Sequence, residues 1–432
     1  MKMRHLPAAY LTRMKTQLGE DGFAAYLHAM EETPHRALRV NTLKTGVDAF
    51  CRSADFSLDP TGILSESFFF DDDVSIGKHP MHVAGLCYVQ EPAAQVPATL
   101  ADVRPGMTVL DLCAAPGGKT TQLAALMQNT GLLVANEPVR SRAETLCGNI
   151  ERLGVANALV TCMRPDALTD ALGACFDRVL VDAPCSGEGM FRKDEIAVCE
   201  WSPEHVTACA ARQEQILDSA ALLLKPGGTL VYSTCTFSPE ENEDTVSAFL
   251  QRHSNFTCEE MRRMYPHTSV GEGQFMAGLQ KDGDDPGYST SFATPKAENI
   301  PTFDAFYRET FVGEPSPVMA LPDGRVLIPP EKMPVEKRGL RMLRAGVLAG
   351  ELRGNRFVPD HALCMARPAD AFQRTVELSG ETLSRFLSGE TVPCDSAFSG
   401  WCAATAFGHP IGWGKAVNGV LKNHIPKGLR IR

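Results

Sequence analysis

From about residue 105 the apolar and polar positions fall into a regular alternation. TVLDL (108–112), LLVAN (132–136), ALVTC (158–162), RVLVD (178–182) and TLVYST (229–234) are near-continuous apolar runs of strand length. Between them, TTQLAALM (120–127), residues 140–153, 203–224 and 239–250 read as amphipathic helices. Apolar strands alternating with such helices predict a parallel sheet covered on both faces, a doubly wound, Rossmann-like α/β domain. Residues 1–75 differ: the pattern predicts an amphipathic helix at the start, then short strands around Leu38–Thr42 and Phe68–Phe70. KDGDDPGYSTSFATPKAENIP reads as a linker or mobile loop, being rich in Gly, Asp, Ser, Thr and Pro. The expected organisation is an N-terminal α+β region (1–75), a core (76–280), a linker (281–300), a connecting subdomain (301–370) and a C-terminal domain (371–432).

In doubly wound sheets, ligands bind beyond the carboxyl ends of the strands. After the first core strand stand Cys113, Ala114, Ala115, Pro116, Gly117, Gly118 and Lys119, small residues that let a ligand approach the backbone before a helix begins. A phosphate loop of the G-x-x-x-x-G-K-[ST] type needs glycine at position 113, where Cys113 stands, and G-x-G-x-x-G is also missing. Glu137 follows the second strand and can accept from ribose hydroxyls. Asp166 follows the third, placed for an exocyclic amine. Loop, ribose acid and Asp together suit the adenosine half of S-adenosylmethionine. Taken alone, Glu137 reads as a solvated neighbour of a helix N-terminus.

Asp182-Ala183-Pro184-Cys185 ends the fourth strand and Ser233-Thr234-Cys235 the fifth. Two thiols and a carboxylate beside a methyl donor suit methylation of carbon 5 of a pyrimidine. A thiolate added at carbon 6 makes carbon 5 an enamine nucleophile, and a carboxyl group at ring nitrogen 3 stabilises the charge that builds there. An arbitrary cysteine is usually a buried packing residue, but both of these follow strand ends beside turn residues. Either could be the nucleophile on chemistry alone.

Composition adds limits. The 432 residues, 44% hydrophobic and 22% charged, describe an ordinary globular protein of several domains. No apolar run reaches the roughly eighteen residues of a membrane span, and the N-terminus has no signal-peptide core, so a cytoplasmic protein without membrane partners is expected. Fourteen cysteines include no C-x-x-C pair, which predicts reduced thiols and no metal site. The net charge of −10 is uneven: residues 331–432 carry 15 Lys+Arg against 9 Asp+Glu, and no acid follows Asp395. Lys415, Lys422, Lys427, Arg430 and Arg432 in that tail hint at an anionic partner.

VLDLCAAPGGKTTQLA, VLVDAPCSGEGMFRKD and VYSTCTFSPEENE resemble motifs I, IV and VI of the Nop/Sun-type RNA cytosine-5 methyltransferases. LRVNTLK, GKHPMHVAGLCYVQEPAAQ and RRMYPHTSVGEGQFMAGL extend the likeness to the bacterial ribosomal RNA branch, the RsmF-like enzymes. FLSGE and GHPIGWGKAVNGVLKNHIPKGLR resemble that branch's PUA-like RNA-binding domain. The resemblance implies a class I methyltransferase core flanked by RNA-binding domains, acting on RNA, expected to be 16S ribosomal RNA or the 30S subunit, as a monomer. It implies that residues 113–119, Glu137, Asp166 and Asp182 bind S-adenosylmethionine, with Asp182 and Lys119 also reaching the target cytosine. It further implies that Cys235 is the nucleophile and Cys185 assists product release. The resemblance is weakest over 280–370, where Arg338, Arg341 and Arg344 would suit RNA phosphates or form a solvated basic helix face. The alternatives are a transfer RNA methyltransferase and a non-catalytic ribosome-assembly factor with the same fold.

Overall fold

The structure, a computed structural model, describes residues 6–284, 291–335 and 339–431. Its centre is an eight-stranded sheet built from β1 (Thr108–Asp111), β2 (Leu132–Asn136), β3 (Ala158–Thr161), β4 (Phe176–Asp182), β5 (Leu224–Thr234), β6 (Phe256–Met264), β7 (Gln274–Lys281) and β8 (Met342–Ala345). The order is β6-β7-β5-β4-β1-β2-β3-β8. β1 to β5 run parallel, while β6, β7 and β8 are antiparallel additions at the two edges. The chain turns back on itself between β1 and its two neighbours β2 and β4, which makes the carboxyl end of β1 the switch point where such sheets bind ligands.

Strand periodicity sends alternate residues to opposite faces. Leu110, Val134, Val181 and Tyr232 pack with Ile216, Leu217, Val246 and Phe249 of the helices Pro203–Leu223 and Glu243–Arg252. Their chain neighbours Val109, Leu133, Leu180 and Val231 pack with Leu123, Leu146 and Ile150 of the helices Gly118–Leu126 and Arg140–Arg152. Both faces are therefore dry, which is why the parallel strands read as unbroken apolar runs.

An N-terminal helix, Ala8–Glu31, kinks at Gly19, whose φ of 71° lies in the left-handed region. It buries Tyr10, Met14 and Tyr26 against Phe191, Trp201 and Phe237, so it lies on the loops that follow β4 and β5. A small antiparallel sheet follows, in the order Leu58–Pro60, Ser67–Phe70, Ala37–Val40, Cys87–Val89; its last strand comes from beyond residue 75. Residues 375–423 form a five-stranded sheet, with Thr375–Glu377 at one edge and Val392–Pro393 at the other. Leu38 and Phe68 of the first sheet, with Phe50 and Met81 of the short helices beside it, share one apolar core with Ile411 and Leu421 of the second sheet and Leu383 and Phe386 of the helix Gly380–Ser388. His79 stacks on Phe407 across this contact at 6.3 Å. Between them, the helix Pro301–Thr310 and a four-stranded sheet within 319–359 pack around Phe303, Phe306 and Phe357, with Trp413 reaching in from the last domain.

Removal of the Phe386 side chain, fully buried in the shared core, is expected to cost roughly 3–5 kcal/mol. Urea denaturation of Phe386→Ala checks the magnitude. Hydrogen exchange should quicken in Ala37–Val40 as well as in the C-terminal sheet; a change confined to residues 373–431 would mean that the two sheets do not share a core.

Candidate active site

The loop after β1 leaves the sheet at Asp111, turns through a cis Ala115–Pro116 bond and enters the next helix at Gly117 and Gly118. Gly117 has φ 114°, and a Cβ there would stand 3.0 Å from Leu146, so a side chain would be both strained and crowded. Arg39, buried in the N-terminal sheet, donates to the carbonyl of Gly118 and to Thr121 Oγ1, both at 3.0 Å. The small N-terminal domain thus anchors the start of this helix.

Glu137 stands beyond β2, almost fully buried. Its Oε1 accepts from the Val139 amide at 2.9 Å, and Arg142 Nη1 lies 3.4 Å from Oε2. Asp166 sits in the first turn of the helix Pro165–Leu172, exposed and paired with Arg164, whose Nε donates to Oδ1 at 3.1 Å. The Arg164 hydrogen bond holds the Asp166 carboxyl below its ordinary range. Asp182 ends β4; it accepts from Ser233 Oγ at 2.7 Å, and Lys119 Nζ lies 2.7 Å from its other oxygen. Lys119 is itself buried, while the Asp182 side chain stays partly exposed toward both cavities.

Cys185 and Cys235 meet, with their sulfurs 3.2 Å apart. The Cys235 amide also points at Cys185 Sγ, at 3.4 Å. Behind them two buried glutamates tie the loops together. Glu241 accepts from the Ser186 amide at 3.0 Å, from Ser186 Oγ, and from Gln213 Nε2 at 2.8 Å. Glu188 accepts from the Phe237 amide, Ser238 Oγ and Trp201 Nε1 at 2.7–2.8 Å. Neither glutamate is singled out by sequence reasoning; the only signal is an acidic residue among small turn residues.

A cavity of about 750 Å³ runs from Glu137, Arg142 and Asp166 past Cys113 and Asp182 to Cys185 and Cys235. A second, of about 220 Å³, opens against Lys119 and Asp182 and is walled by Tyr88, Gln90 and Glu91. Of the twelve residues of the sequence-derived set, all but Gly117 line one or other of these two cavities, with Asp166 on the exposed rim. Among the described residues no group of His, Cys, Asp and Glu could hold a metal ion.

The C-terminal basic residues divide. Arg344 pairs with Glu151 at 3.1 Å and donates to the Gly346 carbonyl; it is part of the β8 edge and not an open phosphate contact. Its segment is a strand, so the expected basic helix face is absent there. Arg341 is the residue just before β8, and Arg338 lies outside the described residues. Lys415 lies over the Trp401 ring at 5.5 Å, Lys422 and Lys427 are exposed, Arg430 donates to the Ile425 carbonyl at 3.1 Å, and Arg432 lies outside the described residues.

Comparison with known proteins places this geometry. Residues 98–281 match the family "16S rRNA methyltransferase RsmB/F". Residues 6–92 match the N-terminal domain of 16S rRNA methyltransferase RsmF, 305–366 its first C-terminal domain, and 373–431 its PUA domain. Ribosomal RNA small subunit methyltransferase F of Vibrio vulnificus (strain YJ016) is 32% identical over 98% of this chain and 98% of its own length.

The chain belongs to the RsmF family.

A second member, from Serratia proteamaculans (strain 568), is 33% identical over 98% of this chain and 96% of its own length. Among solved structures, a methyltransferase homologue from Pyrococcus horikoshii is 28% identical over 64% of this chain and all of its own, with a TM-score of 0.54. NSun6 from P. horikoshii with SFG shares the fold at 23% identity and a TM-score of 0.59, over 65% of this chain and all of its own. The family has a Rossmann-like methyltransferase core with an RsmF N-terminal domain and a PUA-like C-terminal domain, and the sheets described above correspond to that organisation. Among the described residues no helix is long and apolar enough to cross a membrane.

Asp111 offers a direct test of the site's electrostatics. Burial raises its carboxyl to about 7, against the opposing hydrogen bond from Thr120. A carboxyl whose value is higher folded than unfolded binds its proton more tightly in the folded state. Its effect on stability is therefore adverse above the unfolded value, growing as pH climbs from about 4 to about 7. Asp111→Asn removes the titration, so its stability relative to the natural protein should improve as pH climbs from about 4 to about 7 and level off above that in urea denaturation. A difference that stays flat would overturn this assignment.

Proposed function

We propose that this chain methylates carbon 5 of a cytosine in 16S ribosomal RNA, with S-adenosylmethionine as donor, through a covalent cysteine adduct. Membership of the RsmF family supports the methyltransferase activity, the cofactor and the ribosomal RNA substrate. The observation that carries the carbon-5 chemistry is the pair of thiols 3.2 Å apart beside the Asp182–Lys119 pair.

The larger cavity fits the cofactor. Its volume lies within the range of small-molecule sites, the buried Glu137 carboxylate offers acceptors to a ribose, and Asp166 stands on its rim for the adenine. Cys113 to Lys119 would cradle the ligand, and the buried Asp111 Oδ1, without a close hydrogen-bond partner, leaves an acceptor beside the same loop. S-adenosylmethionine, when bound, supplies a sulfonium methyl group open to attack by a carbon nucleophile.

The chain's own groups divide the remaining work. The Cys235 thiolate adds to carbon 6 of the ring, a carbon–sulfur bond forms, and the ring's electron pair makes carbon 5 nucleophilic. Asp182, held by Ser233 and Lys119, shares a proton with ring nitrogen 3 and so offsets the charge that accumulates there. Once carbon 5 carries the methyl group, its proton leaves to a base. The carbon–sulfur bond then breaks with its electron pair returning to Cys235, and Cys185 assists that departure. Flipping a cytosine out of structured RNA costs a few kcal/mol of stacking, and the PUA-like domain can offset that cost through backbone contacts.

Cys235→Ala should abolish methyl transfer to 16S RNA. Cys185→Ala should accumulate a protein–RNA adduct that survives denaturing electrophoresis. Adduct in the Cys235 variant and none in the Cys185 variant would exchange the two roles. In vitro methylation of 16S RNA, 30S subunits and transfer RNA, mapped by bisulfite sequencing, tests the substrate; modification of transfer RNA alone would refute the ribosomal reading.

A further inference from the structure

Glu241 lies outside the set of groups assigned to binding and chemistry, yet its surroundings are unusual for a structural carboxylate. It is fully buried, and its side-chain partners are neutral donors only: the Ser186 amide, the Ser186 hydroxyl and Gln213. Isolated buried carboxylates are unfavourable unless hydrogen-bonded on every side. The same Gln213 nitrogen also donates to the Pro184 carbonyl at 3.0 Å. The carbonyl of Glu241 itself accepts from Tyr232 OH at 2.6 Å. Ser186 Oγ in turn lies 2.8 Å from Thr236 Oγ1. Glu241 therefore holds one chain neighbour of Cys185, Ser186, directly, the other, Pro184, only through the shared Gln213 nitrogen, and through Ser186 the residue after Cys235.

We propose that Glu241 is a positioning residue that locks the Cys185 loop onto the Cys235 loop and, when ionised, opposes ionisation of the Cys185 thiol. Burial raises the Glu241 carboxyl against its hydrogen bonds from Ser186 and Gln213, so this charge is present on the alkaline side of that carboxyl's range. The role of Cys185 in this inference rests on the function proposed above. The ionisable groups around Cys185 are Cys235 and Tyr232 from β5 and its loop, Asp182 from β4, Cys113 from the β1 loop, Glu241, and Cys209 and Arg212 from the helix Pro203–Leu223. Lys119, the nearby lysine, is engaged by Asp182. The hydrogen bond to Cys235, burial, and then the charges of Cys235 and Glu241 all push the Cys185 thiol upward. A thiol at 3.2 Å can donate to Cys235 Sγ, which stabilises that sulfur whenever it carries negative charge, both before addition and as it departs.

The test is alkylation of Cys185 by iodoacetamide, followed across pH by peptide mass spectrometry in a Cys235→Ser background. Only the thiolate reacts, so the rate reports ionisation. Glu241→Gln should speed alkylation of Cys185 by about tenfold at mildly alkaline pH, as a one-unit fall in the thiol value would produce. Exposed Cys199 serves as the internal control and should not change. Gln213→Ala strips a donor from the carboxylate and keeps its charge, so it should slow the reaction. Simple loosening of the loop would speed both variants. Acceleration in both, or no change in the Gln variant, overturns the proposal. Should Glu241→Gln fail to fold, Gln213→Ala decides alone: slowing supports the proposal, and acceleration or no change defeats it. Loss of RNA methylation in the natural protein would defeat the functional reading and leave the alkylation result standing.

Discussion

The register between β4 and β5 is the constraint on which the site depends. These strands are parallel neighbours, and Asp182 lies directly beside Ser233. Each strand then continues into a loop bearing one thiol, so the pairing alone brings Cys185 and Cys235 to the same place. A shift of one residue would turn every side chain to the opposite face. That would take Val181 and Tyr232 out of one dry layer and Leu180 and Val231 out of the other. Burial on both faces leaves a single workable alignment, and the separation of the two sulfurs follows from it.

A sheet can aim two loops but cannot hold their tips, and the remainder of the structure does this. Glu241 and Glu188 bridge the loops from beneath with neutral donors. The N-terminal helix presses Tyr10 on Phe191 and Trp201, at 4.9 and 5.4 Å, and Gln17 bonds the Phe237 carbonyl at 3.0 Å. Arg39 steadies the opposite wall, where the helix after the glycine loop begins. Reactive groups held this way need little reorganisation when a substrate arrives. The N-terminal region therefore contributes to the site's rigidity.

Much of this was legible in the chain because period and position carry it. Unbroken apolar runs announced buried parallel strands, and residues just past those runs had to face the ligand side. This located Cys113 to Lys119, Glu137, Asp182 and both cysteines. The unread parts depend on distant partners. β8 joins the sheet beside β3, about 180 residues away along the chain, and nothing local in MLRA announces it. Arg344 looked available until Glu151 proved to be its neighbour. Glu241 reads as one acid among several in SPEENE; its importance comes from Ser186 and Gln213, which local pattern cannot place. Asp111 resembles an ordinary strand-end acid until burial changes its chemistry.

The core shared by Phe68 and Phe386 bears on how this chain is made. Strand Ala37–Val40 is synthesised roughly 340 residues before the segment 383–421 whose apolar side chains share its core. Throughout synthesis of the intervening methyltransferase core, that face must stay exposed, be covered by chaperones, or pack transiently elsewhere. Closing so long a loop is a slow, non-local step. The protein's maturation thus depends less on the parallel strands of its central sheet, which pair close in the chain, than on the late meeting of these two distant segments.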